Sequence, residues 1–406
     1  MIDEPRKCTP GLGGQVLPQE HKGRLGWVDA SRGVVMLMVL VLHVCGYEYL
    51  SDVNGYSGPA LRFWDDVNQV FSAARMPALF IISGWLAATS MSKGFGFARN
   101  RRRILTNAWL LVLWTVIYAL LTVAVGGQNM PNSVIPSTVV LNIVLPNSTL
   151  WFLAALVWYT VLLTALRHVP PLLVVAGLFC LSAYTITFWT TETGLWVKLP
   201  QFGLFFALGA YAKAFFGWVA GHPAIVLPIS LAGTVMSMWW QSYQSEHQEW
   251  GYFSFLAIAV FLPLFIFALC GCLCEHAARL AAPLESVGRN TVLMYLLHFP
   301  VLLVIVSIAP VHELVIRLMG NELMRWIWPL VLTMAIAMAS VLLKKRIEAS
   351  RCGWLLMLPG FLDDLAASGI DRGRQRIPGD ITTGQHEPLR AGGSRGLTFQ
   401  RGFPSE

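Results

Sequence analysis

Arg32 and His43 are the two side chains whose types and spacing most clearly suggest chemistry. They lie eleven residues apart in the apolar stretch WVDASRGVVMLMVLVLHVCGY, residues 27–47. On an α-helix, eleven residues make about three turns and rise about 16 Å, so both side chains fall on one face. An imidazole, with an unperturbed pKa of about 6.5, can act as a general base at neutral pH. The spacing predicts a cation at one edge of an apolar helix and a proton acceptor further inside.

Each of these side chains also has a purely structural interpretation. A histidine in an apolar helix can hydrogen-bond a neighbouring helix and serve packing alone. Arg32 can pair with Asp29 along the helix or anchor its end. Because ionisable groups within a membrane span are costly, His43 is a candidate for function, and the shared face with Arg32 favours a functional role for this histidine.

A second group of candidates lies in the basic segment GFGFARNRRRIL, residues 94–105. Arg99, Arg102 and Arg103 can bind the phosphates of a nucleotide-bearing donor, because guanidinium groups form forked hydrogen bonds with phosphate. The alternative is that they only anchor a loop on one side of a membrane. Since the segment falls on the same predicted side as Arg32, it predicts a donor site.

Arg75 and Ser83 belong to a third segment, RMPALFIISGW, residues 75–85. Arg75 follows Asp65 and Asp66, so it either pairs with them or faces a cavity on that side of the membrane. Small residues such as Ser83 let helix backbones approach closely, which gives this position a packing interpretation as well. Both are predicted as candidate substrate-binding residues.

A second histidine, His298, lies in MYLLHFPV, residues 294–301. Pro300 interrupts the hydrogen-bond ladder of a helix. His298 therefore either satisfies the carbonyl groups that are freed or lines a substrate path. We predict it as a further substrate-binding candidate.

The cysteine-rich stretch CGCLC, residues 270–274, could suggest a metal. Its flanks are apolar and helical in pattern, and positions two apart point to different sides of a helix, so three ligands cannot converge. No metal site is therefore expected, and small-residue packing explains the stretch better.

The composition identifies the class of protein that must position these residues. Hydrophobic residues make up 55% of the 406 residues, charged residues 13%, and the mean hydropathy is +0.58. Soluble domains carry about twice that share of charge. The chain is therefore predicted to be a polytopic membrane protein. Its net charge of +7 does not indicate nucleic-acid binding, because lysine and arginine accumulate in the cytoplasmic loops of membrane proteins.

Apolar runs predict an all-α bundle of about ten transmembrane helices with a disordered cytoplasmic tail. Each run is close to the roughly 20 residues needed to cross a bilayer. The predicted spans lie near residues 27–47, 70–90, 104–125, 149–166, 171–190, 200–217, 224–241, 252–274, 290–309 and 326–343.

Basic residues are distributed unequally between the two sides of this bundle. Up to Arg346, seventeen fall on the side that carries both termini, against five on the other side. Because lysine and arginine accumulate on the cytoplasmic side, both termini are predicted to be cytoplasmic and the protein to span the cytoplasmic (inner) membrane.

The chain divides into three predicted regions: a cytoplasmic N-terminal segment (1–24), a transmembrane domain (25–345) and a cytoplasmic tail (346–406). From Ser368 onward hardly any large apolar residue recurs, which predicts disorder. The stretch WLLMLPGFL, residues 354–362, is too short to span and is expected to lie on the membrane surface.

The order of these segments resembles the acyltransferase-3 family of membrane proteins. The Arg32–His43 run, RMPALFIISGW, a basic RxxR-type loop, LWFLAALVWY (150–159) and MYLLHFPV follow one another as in that family, over roughly residues 24–345. The likeness is closest to members that O-acetylate sugars, the fucose 4-O-acetylase-like branch. Its most specific piece is a basic residue, ten intervening residues and a histidine, matched by Arg32 and His43.

The resemblance implies transfer of an acyl group, most simply acetyl, from cytoplasmic acyl-CoA to a hydroxyl of an exported or surface carbohydrate. Polysaccharide, a lipid-linked sugar and a secreted lipo-oligosaccharide such as a nodulation factor all fit. Acetyl-CoA would be a co-substrate, and no bound cofactor is expected. Carried over by position, His43 is the catalytic histidine and Arg32 its partner in the motif.

The same resemblance assigns the arginine-rich loop to the family's RxxR donor motif. Arg99 and Arg102 satisfy the spacing, whereas Asn100 and Arg103 occupy the corresponding positions in a second register. Acyl-CoA would place its phosphates near these arginines and its thioester beside the first span. His43 would accept the proton of the attacking hydroxyl, and a covalent acyl-enzyme on His43 or Ser83 is the less favoured variant.

Two other classes of function are compatible with the sequence. A glycoconjugate transporter or flippase would line its pathway with Arg75, His43 and His298, although no internal repeat is visible. A membrane scaffold would instead recruit partners through its tail. In all three cases the lipid bilayer is a partner, and no nucleic acid is expected.

Overall fold

The structure, a computed structural model, describes residues 26–49, 58–188, 195–243, 251–350 and 352–367. These residues form helices and turns, with no β-strand among them. A helix satisfies its backbone hydrogen bonds within one segment, which is what long apolar runs in a bilayer require. In chain order the helices are α1 (Gly26–Val44, followed by a π-helical turn, Cys45–Tyr49), α2 (Pro59–Ser92), α3 (Ala98–Val125), α4 (Val139–Val144), α5 (Trp151–Ala165), α6 (Pro171–Phe188), α7 (Leu195–Tyr211), α8 (Lys213–Gly221), α9 (Pro223–Tyr243), α10 (Gly251–His276), α11 (Ala278–Arg289), α12 (Thr291–Ser307), α13 (Ala309–Met319), α14 (Glu322–Ala349) and α15 (Gly360–Ala367).

Seven of the described helices are long and apolar enough to cross a membrane: α1, α2, α3, α6, α9, α10 and α14. The pairs α7–α8 and α11–α12 bend by 76° and 70°, and they raise the number to nine if each pair is one span. The predicted span at 149–166 corresponds to α5, whose 15 residues are fewer than the roughly 20 needed to cross. An all-helical, multi-pass membrane fold is confirmed for the described residues, and the count of ten spans is not.

Two glycines bring α1 and α11 into backbone contact. A Cβ atom at Gly33 would overlap the carbonyl oxygen of Leu284, and one at Gly288 would overlap that of Asp29. A side chain at either glycine would force the two helices apart. Because α11 bends directly into α12, this contact brings α12 alongside α1.

A reciprocal pair of glycines holds α2 against α7 in the same way. A Cβ atom at Gly84 would overlap the carbonyl oxygen of Phe206, and one at Gly209 would overlap that of Ile81. The packing role expected for the small residues of this segment therefore falls on Gly84. The neighbouring Ser83 points to another side of α2, where it lines a cavity.

The chain that follows α14 folds back onto α3. The indole Nε1 of Trp109 donates to the carbonyl of Trp354 at 3.0 Å, and that of Trp114 donates to the carbonyl of Leu355 at 3.0 Å. Farther along, α15 also packs against α3. The stretch that was expected on the membrane surface therefore makes its polar contacts with the bundle.

Regular structure also continues past the predicted domain boundary at residue 345. Helix α14 ends at Ala349, and helical turns within 352–367 lead to the end of α15. The predicted N-terminal segment (1–24) and the remainder of the tail (368–406) lie outside the described residues.

Candidate active site

Four arginines line one cavity at the end of the bundle where α1, α3 and α12 begin. The cavity has a volume of about 380 Å³, and its arginines are Arg32 from α1 and Arg99, Arg102 and Arg103 from α3. Guanidinium groups bind phosphate and carboxylate through paired, charge-assisted hydrogen bonds. The arginine cavity is therefore suited to an anionic ligand with several phosphate oxygens.

Helix α3 presents its three arginines on one face. Arg99, Arg102 and Arg103 are three and four positions apart, the spacing of neighbours on a helix surface. One further turn along this face, Thr106 and Asn107 also line the cavity. The second arginines of the two RxxR registers, Arg102 and Arg103, therefore line the same space.

The two residues between these arginines point elsewhere. Asn100 is buried and donates a hydrogen bond of 3.0 Å to the hydroxyl of Thr164 on α5. Arg101 donates to the carbonyl of Ala366 at the end of α15, at 2.9 Å. Asn100 thus fixes the start of α3 against α5, and Arg101 holds the C-terminal helix.

Arg102 has a second partner in addition to the cavity that it lines. Its Nε lies 2.8 Å from the carboxylate of Asp363 on α15, and both side chains are partly exposed. Exposed ion pairs contribute little to stability, because solvent screens them. The pair nevertheless places a carboxylate where an anionic ligand of Arg102 would bind.

A narrower cavity of about 90 Å³ continues the arginine cavity toward the interior. The two cavities share Arg32, Ser83 and Asn107, so they are contiguous. This inner cavity is bounded by largely apolar side chains that do not line the arginine cavity: Met36, Leu79, Phe152, Leu153, Thr291 and Tyr295. The charged arginine cavity therefore opens into a narrow, largely apolar one.

Arg32 is oriented by α12 at the junction of the two cavities. Its Nη2 donates to the hydroxyl of Thr291 at 2.8 Å, and its Nη1 lies 4.0 Å from the carboxylate of Asp29. The expected pairing with Asp29 is therefore present, at the long limit of an ion pair. The side chain is held at the junction while still lining both cavities.

Beyond the inner cavity, His43 of α1 meets His298 of α12. Their ring centres lie 4.8 Å apart with the planes tilted by 35°. The ring of Tyr295, which lines the inner cavity, lies 5.8 Å from that of His298. A path of side chains therefore leads from Arg32 through Tyr295 and His298 to His43.

His298 is completely buried, whereas His43 retains partial exposure. The carbonyl groups of Met294 and Tyr295 are close to His298, one turn earlier on α12. Neither of its ring nitrogens, however, makes a hydrogen bond of ordinary geometry with any described group. The ring of His298 therefore lies both close to these carbonyl groups and beside His43.

Arg75 lies on α2 outside the arginine cavity. Its Nη1 donates to Oδ1 of Asn68 at 3.1 Å, and only 5% of the residue is exposed. The alternative that Arg75 pairs with Asp65 or Asp66 is not realised; Asp65 instead accepts a hydrogen bond from Gln69. On a helix, residue 68 is two turns from residue 75 and on the same face, whereas 65 and 66 are rotated away from it.

The residues of the site that were not among the candidates from the sequence include Asn107, Thr291 and Tyr295. Asn107 continues the face of Arg99 and Arg103 at helical spacing, so helical periodicity would have identified it. Thr291 and Tyr295 lie on α12, and their relation to α1 and the inner cavity depends on how the helices pack. No local pattern indicates those two.

The described residues contain no group of three or more histidine, cysteine, aspartate or glutamate side chains that could hold a metal ion. Within CGCLC, Cys270 is buried in α10, and a Cβ at Gly271 would overlap the carbonyl oxygen of Ala220. This close backbone approach agrees with the packing interpretation of the stretch.

Comparison with known families adds one finding to this geometry. The family model of the acyltransferase domain, acyltransferase-3, matches residues 25–344. No curated protein and no solved structure matches the chain. The matched range includes every candidate residue from Arg32 to His298, and it ends before the segment that folds back onto α3.

Proposed function

Because the chain belongs to the acyltransferase-3 family, we propose that it is an O-acyltransferase that moves an acyl group, most simply acetyl, from acyl-CoA to a hydroxyl of an exported or surface carbohydrate. Family membership establishes acyl transfer by a membrane protein. Acyl-CoA as donor, acetyl as the group and a carbohydrate as acceptor are the proposal. One observation carries it: the arginine cavity continues through the narrow inner cavity toward the His43–His298 pair.

The two connected cavities match the form of an acyl-CoA molecule. Coenzyme A carries its phosphates at one end and its thioester at the end of a long, thin pantetheine arm. Arg99, Arg102 and Arg103 would bind the phosphates, while Arg32 and Ser83 would contact the arm where the cavities join. The apolar walls of the inner cavity would hold the acyl end.

The direction of this path supports a donor that arrives from the cytoplasm. The arginines lie at the end of the bundle for which the distribution of basic residues predicts a cytoplasmic location. In the cytoplasmic membrane, acyl-CoA would then reach the arginine cavity, and a carbohydrate would reach His43 from the opposite side. The transfer would take place between the two.

His43 would act as the general base for the attack on the thioester. Its imidazole accepts the proton of the acceptor hydroxyl as the hydroxyl oxygen bonds to the thioester carbonyl carbon. The C–S bond then breaks, and the proton passes to the departing thiolate of coenzyme A. His298, in contact with His43, would orient that ring beside the thioester. Arg75, near enough to His43 to act on it through its charge, would contribute to binding.

The test uses membrane vesicles that contain the full chain, together with acetyl-CoA labelled in the acetyl group. Wild-type protein is expected to bind acetyl-CoA and transfer the label to a saccharide. His43→Ala is expected to bind acetyl-CoA with unchanged affinity and to lose about 10²–10⁴-fold in transfer rate. The matched control is His168→Ala, which removes an exposed histidine in the turn after α5.

Two results would overturn the proposal. If wild-type protein did not bind acetyl-CoA, acetyl-CoA would be excluded as the donor. A glycoconjugate transporter or flippase, the alternative from the sequence, is expected not to bind acetyl-CoA. If His43→Ala retained the wild-type transfer rate, the histidine would not be the base.

A further inference from the structure

A third cavity, of about 310 Å³, lies at the opposite end of α1 from the arginines. We propose that this outer cavity is the acceptor site and that it takes an uncharged sugar, an inference that rests on the acyl transfer proposed above. Its walls come from the end of α1, the loop after α3 and the junction of α12 with α13. Its volume is at the lower end of the roughly 300–1,000 Å³ typical of ligand pockets.

The described lining of the outer cavity combines apolar residues with four hydrogen-bonding side chains. Its hydrogen-bonding side chains are the hydroxyl groups of Tyr47 and Ser307, the amide of Asn129 and the imidazole of His312. No aspartate, glutamate, lysine or arginine is among the described residues that line it. Hydroxyl and amide groups pair with the hydroxyls of a neutral sugar, whereas an anionic or cationic ligand would find no carboxylate, ammonium or guanidinium counter-charge among these described residues.

His312 adds a polar group whose Nδ1 has no partner among the described residues. The residue lines the cavity, and its Nδ1 is buried and makes no hydrogen bond with any described group. Buried polar atoms in folded proteins nearly always have a partner, because an unpaired one loses its hydration without compensation. A rotation of the ring that turns this nitrogen toward the outer cavity would let a sugar hydroxyl pair with it.

Tyr47 connects this cavity to His43. Its ring stacks on the ring of His43, with centres 5.7 Å apart and planes within 12°. The amide of Asn132 donates to the Tyr47 hydroxyl at 2.6 Å, and Asn132 has a left-handed backbone conformation with φ of 61°. The ring of Tyr47 is thus held as the wall between the outer cavity and His43, so a sugar in the cavity would be separated from the base by the thickness of one ring.

The cavities at the two ends of α1 therefore differ in charge, as the proposed donor and acceptor do. The arginine cavity offers four cations, and the outer cavity offers neutral hydrogen-bonding groups. His43 lies between them, next to Tyr47 on one side and His298 on the other. A polyanionic donor and an uncharged acceptor can reach the same base from opposite sides of the membrane.

Gly46 gives a direct way to fill the outer cavity. It lines the cavity, and a Cβ atom built on it meets no atom within 4 Å, so Gly46→Leu adds a side chain without overlap. The matched control is Gly177→Leu on α6, where a Cβ atom also meets nothing within 4 Å and which is not part of this cavity. Both leucines occupy open helical positions.

The experiment uses the full chain in lipid nanodiscs, labelled acetyl-CoA and a panel of methyl glycosides of neutral hexoses and deoxyhexoses. Wild-type protein is expected to acetylate at least one glycoside and to leave the matching uronic acid glycoside unmodified. Gly46→Leu is expected to raise the KM for that glycoside about tenfold or more, with acetyl-CoA affinity unchanged. Gly177→Leu is expected to match wild type. If Gly46→Leu does not assemble, Asn129→Ala in the exposed loop is expected to raise the same KM.

The possible failures are distinguishable. Wild-type protein that binds acetyl-CoA but acetylates no neutral glycoside, or prefers the uronic acid, would overturn the acceptor assignment and leave acyl transfer in place. An unchanged glycoside KM in both cavity variants would also overturn it. Wild-type protein that does not bind acetyl-CoA would instead overturn the proposed function itself.

Discussion

The rings of His43 and His298 lie 4.8 Å apart, centre to centre, where α1 and α12 run side by side. The same two helices are linked nearer their beginnings by the hydrogen bond from Arg32 to Thr291. The pair of helices α1 and α12 therefore carries both Arg32, at the junction of the cavities, and the two imidazoles of His43 and His298, farther inside the bundle. This arrangement joins the Arg32–His43 motif of α1 to a second helix that completes the site.

Replacement of His298 by phenylalanine separates function from stability. The phenyl ring keeps the packing against His43, and it removes two buried nitrogens that lack ordinary hydrogen bonds. Removing unpaired buried polar atoms is neutral or stabilising, so the Tm of His298→Phe is expected to equal or exceed that of wild type. The rate of acyl transfer is expected to fall about tenfold or more, because His43 loses its imidazole neighbour.

Thermal unfolding and single-turnover transfer of labelled acetyl measure the two quantities. His222→Phe, an exposed position that stacks on Trp218, serves as the control and is expected to leave transfer unchanged. A wild-type transfer rate in His298→Phe would show that His298 has no role in the reaction.

Loss of an arginine from the cavity is expected to weaken donor binding. Arg103→Gln removes one charge-assisted contact with phosphate, which corresponds to about a tenfold to hundredfold higher Kd for acetyl-CoA. Arg101→Gln is the matched control, because Arg101 lies on the same turn of α3 but donates to Ala366 instead of lining the cavity. Equal effects of the two substitutions on the Kd, measured by equilibrium binding, would contradict a specific donor site.

The ion pair between Arg102 and Asp363 is expected to compete with the donor. Asp363→Asn frees Arg102 for phosphate, and since an exposed ion pair is worth about 0.2–1 kcal/mol, the Kd for acetyl-CoA should fall by a factor of about 1.4 to five. Asp364→Asn, the adjacent exposed carboxylate, removes the same charge and controls for it. A Kd that rises in Asp363→Asn would indicate that α15 supports the donor site.

The width of the inner cavity is expected to limit the length of the acyl chain. Phe152 forms part of its wall and packs against Phe80, with ring centres 4.9 Å apart. Phe152→Ala removes the ring next to a space of about 90 Å³, so butyryl-CoA and hexanoyl-CoA should gain in kcat/KM relative to acetyl-CoA. Phe188→Ala, exposed at the end of α6, is expected to leave the ratios unchanged. An unchanged preference in Phe152→Ala would exclude this wall as the determinant of length.

The glycine contact between α2 and α7 is expected to be essential for assembly. A Cβ at Gly84 overlaps the carbonyl oxygen of Phe206, so Gly84→Ala must displace one helix. Overpacking of this kind costs about 1–3 kcal/mol, which should appear as a lower Tm or reduced yield of folded protein. Gly177→Ala, at an open position, is expected to unfold as wild type does. A wild-type Tm in Gly84→Ala would show that α2 and α7 can separate without cost.

Much of the site was predictable wherever its residues share one helix. The spacing of Arg32 and His43 on α1, and that of Arg99, Arg102 and Arg103 on α3, follows from helical periodicity, which is the same in any environment. The membrane class followed from composition, because only a bilayer tolerates so many apolar runs with so little charge.

Some local details did not follow from the sequence even though the helices were recognised. Of the two alternatives for Arg75, pairing with Asp65 or Asp66 is not the one found, because residue 68 and not these aspartates lies on the face of Arg75. The predicted span at 149–166 is a helix of only 15 residues, since hydropathy does not show where a helix begins within an apolar stretch.

The sequence by itself determined the membrane class, the helices and the faces on which the arginines and His43 lie. Only the tertiary structure decided that His298 meets His43, that Thr291 holds Arg32, and that the chain after α14 returns to α3. The reason is that contacts between helices depend on close backbone approaches, such as that of Gly33 with α11, which join positions far apart in the chain. Helical periodicity orders the residues around one helix and contains no information about which other helix packs against it.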